Sequence, residues 1–192
     1  MNSARTIMQT LAVGGLAAGA ALLLGRFLMV GNIEVRSSLS NSMNITSSAF
    51  SQGAMIPAEY TCDGANISPP LSVTDVPQGA QSLVLIVDDP DAPHGTWTHW
   101  VVWNITPAPF AIAAGAVPPG AAVGTTSAGT TGYHGPCPPS GTHRYHFQVY
   151  ALNTAFKKLV SASVAANVRA LMQGHLLSQA DLVGIYSYNP RK

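Results

Sequence analysis

Residues 82–105 read "SLVLIVDDPDAPHGTWTHWVVWNI", two apolar runs joined by a short segment dense in acid, proline and histidine. "SLVLIVDD" (82–89) is unbroken by polar residues until it ends in two aspartates. "THWVVWNI" (98–105) is rich in aromatic and β-branched side chains. Runs of this length and composition, bounded by Pro and Gly, predict buried strands. A third strand is predicted over "HRYHFQVYAL" (143–152), where alternation places His143, Tyr145, Phe147 and Val149 on one face and Arg144, His146, Gln148 and Tyr150 on the other. Trp100 and Trp103 fall on opposite faces of their strand and read as packing residues.

Working outward, "PAPFAIAAGAVPPGAAVGTTSAGTTGYHGPCPPSGT" (107–142) punctuates the chain with Gly and Pro too often for a helix or a long strand, which predicts a long loop or a series of turns. "SASVAANVRALMQGHLL" (161–177) carries Val164, Val168, Leu171, Met172 and His175 on one helical stripe, with Ser161 or Ser163 able to cap it. A last strand is expected at 181–188. No internal repeat is present.

The bulk composition agrees with one β-rich domain. The chain has 192 residues, 47% of them hydrophobic, with 18 glycines and 14 prolines. Its net charge is +1, and its nine basic residues form no run longer than two, which excludes the electrostatic footprint of a nucleic-acid binder. The first thirty residues differ from the rest. Arg5 is followed by an uncharged, mostly apolar run of twenty residues up to Arg26. That length fits a membrane anchor better than a cleaved signal, and either reading implies export or attachment to a membrane. The expected organisation is an anchor or signal segment at 1–30, a linker at 31–44 and one domain at 45–192.

Chemistry is concentrated in the domain's middle. His94, His99, His134, His143 and His146 fall within 53 residues, together with Asp88, Asp89, Asp91 and Cys137. No HxH, HExxH or CxxC spacing accompanies them, so no metal site is predicted. Cys137 with His134 or His143 could form a nucleophile and base, as in a Cys-dependent hydrolase. In an exported chain, however, Cys62 and Cys137 are better read as a disulfide. No GxSxG is present for a serine hydrolase. The remaining reading is an anion pocket, in which Asp89, His99 and His143 converge at strand ends beside the Gly/Pro loop. The carboxylate would orient an imidazole, while imidazole and backbone N–H groups would donate to phosphate oxygens. Taken singly, His94, His134 and His146 read as structural residues.

"DPDAPHGTWTHWVVWNI", "GPCPPSGTHRYHFQVYAL", "YTCDGANISPPL", "VPPGAAVGTTSAGTTGYHGPCPP" and "ALMQGHLLSQADLVGIYSY" together resemble the phosphatidylethanolamine-binding protein family, and within it the bacterial Raf-kinase-inhibitor-like branch, over about residues 45–188. The resemblance implies an antiparallel β-sandwich with a Greek-key flavour and one or two C-terminal helices. It also implies an anion pocket at one end of the fold. Matched motif by motif, the pocket would comprise Asp89, Asp91, Trp97, His99, Gly135, Pro138, Pro139, His143 and Tyr145, with Gly135 letting backbone approach the ligand. Two positions depart from the pattern: Val73 where a tryptophan is usual, and His134 where a glycine is common. The implied function is non-catalytic, cofactor-free binding of a small anion or phospholipid head group. The alternative is inhibition of a kinase or protease through surface contacts, and a homodimer is possible.

Overall fold

In a computed structural model, the described residues are 42–118, 120–160, 162–188 and 190. The apolar segment at 1–30 and most of the linker at 31–44 lie outside them. Among the described residues, no helix is long and apolar enough to cross a membrane.

The apolar run at 82–89 is strand β3 (Ser82–Asp89), and every one of its residues is buried. It lies in the middle of a five-stranded antiparallel sheet, between β4 (Trp97–Ile105) and β7 (Thr142–Leu152), with β6 (Ala122–Val123) and β8 (Leu176–Ser187) on the flanks. Its lack of alternation has a physical cause: both faces of this sheet are covered. On one face Leu83, Leu85 and Val87 pack with Trp100, Tyr145, Phe147 and Val149, and with the second sheet. That sheet is antiparallel and three-stranded, built from β1 (Asn44–Thr46), β2 (Leu71–Thr74) and β5 (Phe110–Ile112). On the other face Val84, Ile86, Val101 and Trp103 pack with Tyr150, Leu152, Phe156 and helix α1 (Ala165–Met172) through Val168 and Met172. Trp100 and Trp103 thus serve two different cores. Val73, at the position where a tryptophan is usual, is buried in β2 opposite Ile45 and Phe110.

Met43 is buried in the core and Asn44 already pairs with Thr74. The sequence reading and the structure differ in three places. The helix is shorter than expected, since Gly174 takes a left-handed φ of 77° and turns the chain out of it, leaving His175 beyond the helix, bonded to Asn153; Leu171, within the helix, is exposed and not on its buried face. Ser163 does not cap the helix: its Oγ accepts from the Val160 amide. The end is closed instead by Asn167, whose Oδ1 accepts the Val164 amide. Finally, β8 starts at Leu176, earlier than the strand expected at 181–188, and Leu176 and Leu177 are exposed at the start of this edge strand.

Candidate binding cavity

The two aspartates that end β3 part company because consecutive strand residues face opposite ways. Asp88 turns toward the helix side, where Arg169 Nη2 donates to it at 2.5 Å and Thr98 Oγ1 at 2.8 Å. Asp89 turns the other way. Its Oδ2 accepts from His143 Nδ1 at 2.7 Å, and its Oδ1 accepts the Asp91 amide at 2.8 Å, closing the turn that begins the 90–96 loop. Both members of the Asp89–His143 pair are buried.

Across from them, β4 carries a bulge. Val87 pairs with Trp100 and Asp88 with Thr98, so His99 is the extra residue with no partner on β3. A bulge re-aims a side chain that strict alternation would send elsewhere. Here it brings His99 edge-on to Tyr145, with ring centroids 5.2 Å apart. Tyr145 in turn stacks on His143 at 6.5 Å. His99 Nδ1 donates to the His134 carbonyl at 2.6 Å, and the His134 amide donates back to the His99 carbonyl at 2.8 Å. A carbonyl can only accept, so Nδ1 carries the proton and Nε2 is the ring nitrogen left for a ligand. Burial makes His99 less basic than an ordinary histidine, against the opposing pull of the His134 carbonyl and the Asp89 carboxylate.

These groups border a cavity of about 590 Å³. Of the residues expected from sequence, Asp89, Trp97, His99, Pro139 and Tyr145 line it. The other four sit elsewhere. His143 lies behind Asp89 as its partner. Asp91 grips Arg144 through three bonds of 2.6–2.9 Å, which hold its carboxyl down at about 2 and pin the 90–96 loop to β7. Gly135 is buried against the segment around Tyr60. A Cβ there would come within 2.5 Å of Asn66 Oδ1 and 2.7 Å of the Tyr60 carbonyl, so what its missing side chain admits is protein backbone. Pro138 borders a smaller hollow with Tyr186 and Tyr188. Residues with no clear sequence signal also line the cavity: His94, Thr96, Ser127 and His134. Of these, His94 and His134 belong to the histidine cluster of the sequence, where each taken singly reads as a structural residue, His134 also as a departure from the pattern.

The cavity's far wall is tied by Cys62–Cys137, a disulfide with a Cα–Cα distance of 5.4 Å. Both cysteines of the chain are consumed in it, which removes the thiolate that a Cys137-dependent hydrolase requires. Among the described residues three buried side-chain polar atoms lack a close partner, Trp100 Nε1, His146 Nε2 and the Tyr145 hydroxyl, and of these residues only Tyr145 lines the cavity. The Cys137 amide approaches the Tyr145 hydroxyl as a donor, and no protein group accepts the hydroxyl's own proton.

Comparison with known proteins places this arrangement. Residues 46–187 match the family model described as phosphatidylethanolamine-binding protein. A UPF0098 protein of Methanothermobacter thermautotrophicus is 50% identical over 149 residues, covering 75% of this chain and 98% of the relative. The crystal structure of a phosphatidylethanolamine-binding protein homologue from Chlamydia trachomatis is 44% identical with a TM-score of 0.73, covering 78% of this chain and 99% of its own. YbcL of Escherichia coli, described as a new member of the mammalian family, is 31% identical with a TM-score of 0.73 over 77% of this chain and 99% of its own. With a family model matched over residues 46–187 and these relatives covered nearly end to end, the chain belongs to the phosphatidylethanolamine-binding protein family.

Proposed function

We propose that the cavity binds a small oxyanion, phosphate or a phosphate monoester such as a phospholipid head group, and holds it without turnover. The observation that carries this reading is the Tyr145 hydroxyl. A buried donor with no acceptor costs about 1–3 kcal/mol in the empty protein, and an anion oxygen in the cavity would remove that cost. His99 Nε2 supplies a second donor once protonated, and Asp89 holds His143 in one orientation behind it. The absence of a free thiol fits binding rather than covalent chemistry. The lining is mostly apolar, with Trp97, Pro93 and Pro139 beside the polar groups, which suits an organic phosphate whose carbon portion lies against them. Titration with inorganic phosphate and with phosphoethanolamine, followed through histidine NMR signals, tests this. His99 and His143 resonances that stay unmoved at millimolar ligand would sink the pocket.

The disulfide also supports an extracytoplasmic location, since such bonds persist in oxidising compartments. Together with the apolar segment at 1–30, it favours an exported or membrane-attached protein. Fractionation of cells expressing the full chain checks this, and a thiol count of two after denaturation without reductant would argue against it.

A further inference from the structure

The cavity proposed above for an anion has no lysine or arginine among its described lining residues. The two guanidinium groups of the neighbourhood are spoken for: Arg144 is gripped by Asp91, and Arg169 by Asp88 on the helix side of the sheet. Asp89, on the cavity wall, brings a carboxylate instead of a cation. The lining groups that can become positive are three imidazoles, His94, His99 and His134. His134 and His99 are the close pair. Their rings stack at 27° with centroids 6.2 Å apart, and reciprocal bonds tie His134's backbone to His99.

We infer that His134 is a ligand-contacting residue of this chain, and that the cavity takes up its anion together with protons carried by the His99–His134 pair. The inference rests on the anion reading of the cavity and adds how the anion's charge is met. Two stacked imidazoles cannot readily both be charged in an empty, partly buried site, because like charges at this distance repel. An anion between their free edges reverses that balance and makes the charged forms favourable. The groups that face the pair pull both ways. From β3, Asp89 and, more weakly, Asp88 favour protonation of His99; from β7 come Tyr145 and the Asp89-held His143, and from the 90–96 loop comes His94, an imidazole whose own charge would oppose it. Burial holds His99 neutral when the cavity is empty. Binding therefore draws protons from solvent, and affinity falls as pH rises, by about tenfold per pH unit for each proton taken up. A glycine at 134 would supply no such group.

The test is calorimetric titration of the full chain with inorganic phosphate from pH 5.5 to 8. Two buffers of different ionisation enthalpy are used at each pH, and phosphate's own ionisation is subtracted from the proton count. The wild-type protein should take up at least one proton beyond phosphate's share near neutrality. His134→Gln should lower that number and flatten the pH dependence of affinity, and His134→Gly should do the same, with melting curves of both variants confirming that the fold is kept. Phosphate binding with no extra proton uptake, or an unchanged count in both folded variants, overturns this inference and leaves the anion site standing. No phosphate binding at any pH overturns both.

Discussion

Replacing Tyr145 with Phe should raise or preserve stability while weakening anion binding. The ring is held between His99 and His143, with centroids at 5.2 and 6.5 Å, and Phe keeps those contacts. What disappears is a completely buried hydroxyl with no acceptor for its proton. Such a group costs about 1–3 kcal/mol. Part of that gain is returned, because the nearby Cys137 amide loses an oxygen to approach; Cys137 is an exposed residue, so solvent can replace it. In a domain of about 150 residues, 1 kcal/mol moves the melting midpoint by about 2–4 °C. The expected midpoint without ligand is therefore equal to wild type or higher by up to about 5 °C. With anion bound, the same hydroxyl donates to a charged oxygen, an interaction worth about 1.5–3 kcal/mol. Its loss corresponds to roughly a 10- to 150-fold weaker Kd. Melting curves with and without saturating phosphate, together with direct titration, separate the two effects. A ligand-free variant that melts well below wild type would show that the hydroxyl is satisfied in the empty protein. An unchanged Kd in a well-folded variant would refute the assignment of Tyr145 to the site.

Three further outcomes are expected. Reducing Cys62–Cys137, whose positions are separated by 75 residues, should cost about 4.5 kcal/mol in the chain-entropy account, seen as a melting midpoint lower by about 10 °C or more under reductant. Gly135→Ala should destabilise by about 1–3 kcal/mol through overpacking against Asn66 Oδ1 and the Tyr60 carbonyl, and chemical denaturation measures it; a neutral effect would show that this backbone approach is loose. Burial makes the His99 imidazole less basic in the folded chain than in the unfolded one. The unfolded state therefore binds more protons between the folded value and about 6.5, and stability of the ligand-free protein falls as pH drops below about 6.5. Urea midpoints at pH 7.5 and 5.5 should show that loss, and His99→Gln should shrink it.

The disulfide, the Asp91–Arg144 clasp and the Asp89 turn converge on one design. Each fixes a different border of the cavity: the clasp and turn hold the 90–96 loop, and the disulfide holds the 133–139 segment. A site whose two bordering loops are braced in this way can keep a donor such as Tyr145 in place, as preorganised binding requires.

Periodicity and composition along the chain were enough to locate β3, the body of β4 and both faces of β7, and to mark "DPDAPHG" and the His143–Tyr145 stretch as chemistry. Those features are local. A strand buried on both faces writes itself as an unbroken apolar run, and a strand with one deep and one shallower face writes itself as alternation. The short strands β1, β2, β5 and β6 leave no such trace, because two to four residues are too few to show a period. Tertiary structure alone decided the rest. The bulge that aims His99 at Tyr145 is a register shift between β3 and β4, a property of the pairing of two strands that no periodicity within one strand records. The division of nine expected site residues into five on the wall and four behind it depends on partners far away in sequence: Arg144 for Asp91, Asn66 for Gly135, Asp89 for His143. Which residues share a strand is a matter of local preference, whereas which side chains share a cavity is settled by long-range closure, where packing and hydrogen-bond satisfaction across distant segments outweigh that preference.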